Sequence, residues 1–118
     1  MSKRVLIVSS SPRKGGNSDT LCDQFRKGAE EAGNRVDTVR LAELKIDYCS
    51  ACYACKTTGH CVKRDDMERL LAKMRSADVI VLATPVYFYT MCAQLKTMID
   101  RTLGGAQQSG LENKEFYF

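Results

Sequence analysis

Two short runs of consecutive apolar residues place the strongest constraint on the fold of this chain. Val5 to Val8 and Val79 to Ala83 are rich in β-branched residues and do not alternate with polar residues. Strands of this kind are buried on both faces, which is typical of a parallel sheet covered by helices on each side. The sequence therefore predicts an α/β fold with these two runs as central strands.

Three amphipathic helices are predicted between and after these strands, because apolar residues recur there at helical spacing. Their expected apolar faces are Leu21, Phe25, Ala29 and Ala32; Met67, Leu70, Leu71 and Met74; and Leu95, Met98, Ile99 and Leu103. Asn17, Ser18 or Asp19 is the expected cap of the first helix, and Asp65-Asp66 the cap of the second. Gly33-Asn34 is expected to end the first helix.

Residues 36–41 and 115–118 have strand patterns and complete the alternation of strands with helices. The result is one domain, residues 1–118, with a doubly wound parallel sheet and helices on both faces. A five-stranded sheet of this type needs roughly 150 residues, so we expect the fold to be truncated at its fourth strand. Completion by a partner subunit is the alternative, because an open edge strand has to be covered.

Charge and hydropathy exclude several function classes. The net charge of +4 comes from 18 basic and 14 acidic residues that are scattered along the chain, and this pattern is unlike the basic stripe of a nucleic-acid-binding protein. No apolar run approaches the roughly 20 residues of a membrane span. The first residues do not resemble a secretory signal, so we expect a cytoplasmic protein.

A polar loop, residues 9–18 (the serine loop), connects the first strand to the first helix. The start of a helix collects free backbone N–H groups and the positive end of the helix dipole, which suits a phosphate. The side chains expected to bind the phosphate are those of Ser10, Ser11, Arg13, Asn17 and Ser18. The spacing fits neither GxGxxG nor GxxxxGK[ST], so an ordinary polar connection stays open as the alternative.

A second loop, residues 84–89 (the aromatic loop), follows the strand at 79–83. Ligands of open α/β sheets bind at the carboxyl ends of the strands, next to the point where strand order reverses. Thr84, Pro85, Val86, Tyr87 and Phe88 are therefore expected to contact a flat cofactor whose phosphate lies in the serine loop. Packing of these aromatic residues in the core or at a subunit contact is the alternative.

Four of the six cysteines form a CxxCxxCx5C run from Cys49 to Cys61 (the cysteine segment, residues 49–61), with Cys52 and Cys55 between them. Compact runs of this kind hold iron-sulfur clusters, whereas zinc sites more often separate two CxxC pairs by a longer insert. The residues favour a [4Fe-4S] cluster over zinc, and reduced thiols or a disulfide-forming pair stay open beside it. Cys22 and Cys92 fall on predicted helices and are expected to be buried small residues.

These motifs together resemble the flavodoxin-like NAD(P)H-dependent FMN reductases over residues 4–103. The matching stretches are Ser11 to Ser18 with Leu21, Asp65-Asp66-Met67, Thr84 to Phe88, Leu95-Lys96 and Ile99-Asp100-Arg101, and the cysteine segment resembles the iron-sulfur flavoprotein branch. The resemblance implies a flavodoxin-like fold with bound FMN, NAD(P)H as electron donor and a small-molecule redox substrate. It assigns the FMN phosphate to Ser11, Arg13, Asn17 and Ser18 and the isoalloxazine ring to residues 85–88. It also implies a homo-oligomer.

Overall fold

A four-stranded parallel sheet forms the centre of the molecule, with a separate two-stranded hairpin beside it. The computed structural model describes residues 2–102, 104 and 111–118. The strands are β1 (Arg4–Ser9), β2 (Arg35–Arg40), β3 (Val79–Ala83), β4 (Val86–Tyr87), β5 (Thr90–Met91) and β6 (Glu115–Tyr117). The helices are α1 (Asn17–Glu31), α2 (Cys55–Thr58), α3 (Met67–Ser76) and α4 (Ala93–Arg101), and a 3-10 turn spans Leu41–Glu43.

The strand order is β2-β1-β3-β6, so β1 and β3 occupy the middle of the sheet. Val5 of β1 lies opposite Val36 on one side and Val79 on the other, and all three pairings within this sheet are parallel. Strand order reverses between β1 and β3, since the chain moves outward to β2 and then returns to the other side of β1. The predicted doubly wound parallel sheet is confirmed.

Alternate residues of the central strands point into two separate cores. Leu6 and Val8 face α3 and α4, and the core on that side continues through Met67, Leu70, Met74, Leu95 and Met98. Val5 and Ile7 point to the opposite side, where Cys22 of α1 covers them. Helices therefore lie on both faces of the sheet.

The predicted apolar face of α1 is wrong by about one residue. Cys22 is the buried residue of this helix, whereas the Leu21 side chain is 70% exposed and Phe25 lies at the margin of the core, 5.8 Å from the Tyr117 ring. The helix is turned so that the small cysteine fits closely against the sheet. Burial raises the pKa of the Cys22 thiol.

The expected caps are partly corrected. Gly16 is the residue before α1, and neither Asn17, Ser18 nor Asp19 acts as its cap. At α3, Asp66 is the residue before the helix and makes no side-chain cap bond, whereas the Asp65 carboxylate accepts the Met67 N–H at 3.1 Å. Of the predicted Asp65-Asp66 pair, only the Asp65 side chain caps the helix.

The remaining boundaries differ from the sequence predictions in small ways. β2 ends at Arg40, and Leu41 begins the 3-10 turn instead of ending the strand. The aromatic loop contains the start of the β4–β5 hairpin, and Leu103 lies outside the described residues. Within the described part of the chain, every helix is too short or too polar to cross a membrane.

Candidate functional site

The carboxyl ends of β1 and β3 meet at one edge of the sheet. The Ser10 N–H and hydroxyl both donate to the carbonyl of Ala83, at 2.9 and 2.6 Å. Ser9, Ser10 and Ser11 are all buried. The serine loop and the aromatic loop therefore start side by side, as the sequence predicts.

The first turn of α1 is open at this edge. Gly16 precedes the helix and supplies no side-chain cap, and Gly15 has a left-handed φ of +78° that turns the chain into the helix. Helix-start N–H groups without an internal partner attract anions. Asn17 and Ser18 occupy this turn, Ser18 half-buried and Asn17 exposed. The predicted placement of these two residues at a helix start is confirmed, and the turn suits a phosphate.

Arg13 and Ser11 shape the loop before the helix. The Ser11 hydroxyl accepts the Arg13 N–H at 3.2 Å, which closes a tight turn. The Arg13 side chain folds back over the loop, with its Nε 3.4 Å from the position that a Cβ on Gly16 would take. Among the described residues, the Arg13 guanidinium forms no ion pair, so its charge is available at the loop surface.

Asp19 holds the serine loop from behind, a role that the sequence did not reveal. Its carboxylate accepts the Ser9 hydroxyl and the Gly15 N–H, both at 2.8 Å, and pairs with Arg40 at 3.3 Å. Burial by itself would raise the pKa of Asp19, but the Gly15 and Ser9 hydrogen bonds and the Arg40 charge hold it below its ordinary value. Arg40 also donates to the Ser11 carbonyl at 3.3 Å. The sequence predicted Asp19 as a possible cap of α1, whereas in the structure its carboxylate holds the serine loop.

Cys92 links the two loops. Its N–H donates to the Thr84 hydroxyl at 3.0 Å, and its thiol donates to the Ser10 hydroxyl at 3.3 Å. Cys92 is fully buried, as expected, although it precedes α4 instead of lying within it. Burial alone would raise the pKa of Cys92, but the Ser10 and Thr84 hydroxyls and the N–H groups that begin α4 lower it. The predicted site residue Thr84 is thus tied to Ser10 through this thiol.

The aromatic loop leads into the hairpin. Thr84 and Pro85 are half-buried at the sheet edge, whereas Val86, Tyr87 and Phe88 are exposed. Phe88 and Tyr89 form the hairpin turn with positive φ values of 46° and 70°, and their rings lie 5.4 Å apart. Positive φ at both turn residues matches the twist of a two-residue hairpin, but it is strained for side chains other than Gly or Asn. Of the predicted ring-contacting residues, Pro85 therefore lies at the sheet edge, and Val86, Tyr87 and Phe88 stand on an exposed arm that continues from it.

All four cysteines of the cysteine segment border one cavity. Cys49, Cys52, Cys55 and Cys61 are free thiols that line it together. The backbone N–H groups two residues further on donate to the sulfurs of Cys49 and Cys61, both at 3.4 Å. Hydrogen bonds to ligand sulfur are one of the means by which proteins tune iron-sulfur clusters. Among the described residues, no three His, Cys, Asp or Glu side chains lie close enough together to hold a single metal ion.

The backbone between the first three cysteines is strained. Ala51 and Tyr53 both have left-handed φ values, 58° and 59°, on either side of Cys52. Such values cost roughly 1 kcal/mol or more at residues other than Gly, and they concentrate at functional sites. The exposed Cys52 is the residue that this kinked backbone presents.

Hydrogen bonds between the residues that flank the cysteine segment on both sides hold its two ends together (the neck, residues 45–47, 65–66 and 101). Lys45 and Asp66 exchange two bonds, one from the Lys45 N–H to the Asp66 carboxylate at 2.7 Å and one from the Asp66 N–H to the Lys45 carbonyl at 3.0 Å. The Asp47 N–H donates to the Asp65 carboxylate at 3.0 Å. Arg101 donates to the Asp47 carbonyl and to Asp65, both at 2.8 Å. The segment is therefore anchored where it leaves and re-enters the fold.

Arg101 and Asp65 form the most buried ion pair at this neck. Their side chains are 2% and 4% exposed. Burial by itself would raise the pKa of Asp65, but the Arg101 guanidinium and the Asp47 and Met67 N–H groups lower it to about 2. Burial by itself would lower the pKa of Arg101, but the Asp65 carboxylate and the Cys61 sulfur raise it. Arg101 lines the cysteine cavity, which its helical position did not predict, although Ile99-Asp100-Arg101 is one of the stretches that carry the family resemblance.

Gly104 packs directly against the last cysteine. A Cβ on this glycine would lie 2.9 Å from the Cys61 Cβ, closer than real side chains approach. Only a residue without a side chain leaves Cys61 in place at the cavity wall.

Residues 3–118 match the family described as NADPH-dependent FMN reductase. The chain belongs to this family. Within the FMN reductase family it is 39% identical over 111 residues to an iron-sulfur flavoprotein of Archaeoglobus fulgidus and 41% identical over 100 residues to one of Methanosarcina thermophila. These matches cover 94% and 85% of this chain and 50% and 52% of the relatives. The chain thus spans about half the length of the curated relatives it matches.

The fold of this FMN reductase family member is also found among solved structures. A structure titled NAD(P)H:quinone oxidoreductase from Methanothermobacter marburgensis superposes with a TM-score of 0.73 at 20% identity. The superposition covers 89% of this chain and 55% of that one. The expected flavodoxin-like fold is confirmed.

Proposed function

We propose that this chain forms the FMN-binding part of an FMN-dependent oxidoreductase of the iron-sulfur flavoprotein type. The observation that carries the proposal is the uncapped first turn of α1, which opens beside the joined ends of β1 and β3. A helix start at a strand-order reversal is where open α/β sheets bind phosphorylated cofactors. Family membership adds FMN as the expected cofactor.

The residues at this sheet edge have different roles in the proposed phosphate site. Asn17 and Ser18 face the phosphate with the N–H groups of the first turn, and Arg13 adds a positive charge. Ser11 closes the turn that carries Arg13, and Ser10 fixes the loop to β3. This arrangement holds an anion by backbone dipoles and one charge without a metal ion.

The aromatic loop supplies the surface for the flavin ring. Thr84 and Pro85 stand at the sheet edge, and Val86, Tyr87 and Phe88 extend from it as an exposed arm. The arm contributes flat apolar surface that excludes water from one side of the ring.

FMN bound at the serine and aromatic loops would supply hydride chemistry with NAD(P)H, and a [4Fe-4S] cluster held by the cysteine segment would supply transfer of single electrons. The chain positions these groups and sets the charge around them. A small-molecule acceptor such as a quinone fits this chemistry.

Replacement of Arg13 by Ala tests the phosphate assignment in the full-length protein. FMN affinity is expected to fall about 10-fold, because a charge-assisted hydrogen bond to phosphate is lost, while riboflavin affinity stays unchanged. Flavin fluorescence titration measures both. The matched control is Lys14→Ala, which removes a neighbouring exposed charge. Equal weakening of FMN and riboflavin would contradict the phosphate role.

The cysteine segment is proposed to hold a [4Fe-4S] cluster through Cys49, Cys52, Cys55 and Cys61. Four observations support it: one shared cavity, free thiols, two N–H···S hydrogen bonds and a strained backbone around Cys52. A donor set of thiolates alone is the one that iron-sulfur clusters prefer.

Iron and acid-labile sulfide analysis of anaerobically purified protein tests the cluster. Cys52→Ala is expected to lose both, whereas Cys22→Ala, a buried cysteine on α1, is expected to keep them. Wild-type protein that binds FMN but contains no iron or sulfide would leave a flavin-only quinone or FMN reductase. Bound FMN without NAD(P)H oxidation in the presence of a quinone would indicate a flavin electron carrier.

A further inference from the structure

A buried positive charge borders the cysteine cavity. The Arg101 side chain lines this cavity together with Cys61 and is only 2% exposed. Its two terminal nitrogens bond to Asp65 and to the Asp47 carbonyl. Its Nε, also buried, has no hydrogen-bond partner in the part of the chain that the structure describes. Buried polar atoms nearly always have a hydrogen-bond partner, so this nitrogen is available to an acceptor at the cavity.

The position of the Arg101–Asp65 pair decides which of its two charges faces the cavity. Asp65 lies at the neck, where it also accepts the Asp47 and Met67 N–H groups. Arg101 lines the cavity, whereas Asp65 is not among the described residues that line it. Lys63 and Asp100 also lie along the wall, but Asp100 is 42% exposed and pairs with Lys96, so its charge is screened by solvent and by that partner. The cavity therefore faces the positive member of the pair.

A cluster bound by four thiolates carries a net negative charge, and reduction by one electron adds another. A fixed positive charge nearby in a low-dielectric site stabilises the reduced form more than the oxidised form. The Asp65 carboxylate opposes this effect, but it is not among the described residues that line the cavity, so we expect its influence on the cluster to be weaker.

We propose that Arg101 is a positioning residue of the cysteine site that supports Cys61 and raises the reduction potential of the cluster. This inference rests on the proposed [4Fe-4S] cluster. In the step concerned, the oxidised cluster takes one electron from dithionite or from a reduced flavin. No bond to the protein is made or broken, and the charge of Arg101 does not change.

The test is a redox titration of the anaerobically purified full-length protein, followed by electron paramagnetic resonance of the reduced cluster. Two variants alter the charge around the cavity, and a third preserves it. Asp65→Asn removes the opposing negative charge, the double variant Asp65→Asn with Arg101→Gln removes both charges, and Arg101→Lys keeps the positive charge. Arg69→Gln is the matched control, because Arg69 is an exposed arginine of α3 that also pairs with an aspartate.

The expected shifts in midpoint potential, relative to wild type, differ in sign between the variants. Asp65→Asn is expected to raise the potential, the double variant to lower it, and Arg101→Lys and Arg69→Gln to leave it close to wild type. If the double variant folds by circular dichroism but loses iron, retention of iron in Arg101→Lys supports the role of the charge. If the double variant does not fold, Arg101→Gln alone is measured in its place, and its potential is expected to fall because the Asp65 charge is then unopposed.

Three results overturn the inference, and they are distinguishable. Unchanged potentials in Asp65→Asn and in the double variant, with a cluster present, reject the role of Arg101 alone. Loss of iron in Arg101→Lys as well as in the double variant means that Arg101 acts only by packing. Absence of iron and sulfide from wild-type protein rejects the cluster itself, and the inference with it.

Discussion

The serine loop and the cysteine segment are held in place in different ways. The serine loop continues directly from β1, and two hydrogen bonds from Ser10 fix it to the neighbouring strand. The cysteine segment has one short helix of four residues, and its ends are joined by the hydrogen bonds of the neck. The first site therefore takes its geometry from the sheet, whereas the second depends on a few long-range polar contacts.

This difference determines whether a substitution at each site changes mainly ligand binding or mainly the stability of the fold. A sheet edge is maintained by the whole core, so single substitutions there change binding more than stability. The neck places two charged side chains in the interior, where each one depends on the other. Three predictions test this comparison.

The largest effect is expected from Asp65→Ala. This change leaves the Arg101 charge buried without its partner and is expected to lower the free energy of unfolding by about 3–5 kcal/mol. Urea denaturation of the protein measures the loss. Glu68→Ala, which removes an exposed ion pair between Glu68 of α3 and Arg64, is expected to cost less than about 1 kcal/mol. Similar losses in both variants would show that the neck is not the weak point of the fold.

Acid is expected to have a somewhat smaller effect through the same carboxylate. The pKa of Asp65 is about 2 in the folded protein and 3.8 in its ordinary state. Because the folded pKa is the lower one, the stabilisation is fully present above pH 4 and is lost as the pH falls from about 4 to about 2. The expected loss is about 2 kcal/mol.

Urea denaturation between pH 2 and pH 6 measures this loss. Asp65→Asn cannot titrate at this position, so its stability is expected to depend less steeply on pH over the same range. Identical pH dependence in wild type and Asp65→Asn would contradict the assignment.

The smallest effect on stability is expected from Asp19→Ala in the serine loop. The change removes the acceptor of the Ser9 hydroxyl and the Gly15 N–H, and a loss of about 1–2 kcal/mol is expected because the site remains partly open to water. FMN affinity is expected to fall as well, since the loop loses its backing. Asp23→Ala, one turn further along α1 and exposed, is the control. A loss as large as that of Asp65→Ala would remove the distinction between the two regions.

Local patterns predicted the elements that surround the two sites. The unbroken apolar runs at β1 and β3 required burial on both faces, and this alone placed the serine and aromatic loops at one edge of a parallel sheet. The spacing of the four cysteines also predicted a common site, and they line one cavity. Assignment of the individual side chains to FMN or to a cluster remains a prediction.

Helical periodicity did not predict how α1 is rotated about its axis. Leu21 and Phe25 have the right spacing for a buried face, yet Cys22 is the residue that packs on the sheet. Helical spacing restricts the buried face to a sector of the helix, and the fit of particular side chains against the strands selects the residue within it.

The sequence by itself determined two features: the sheet edge at which strand order reverses, and the run of thiols. It could do so because short-range periodicity reports burial and cysteine spacing reports ligand geometry. Only the tertiary structure decided that Asp19 meets Arg40 behind the serine loop and that Asp65 meets Arg101 beneath the cysteines. These partners are far apart along the chain, and each is an ordinary charged residue in its local context. Burial makes their pairing necessary, and burial of a charge is known only once the elements have packed.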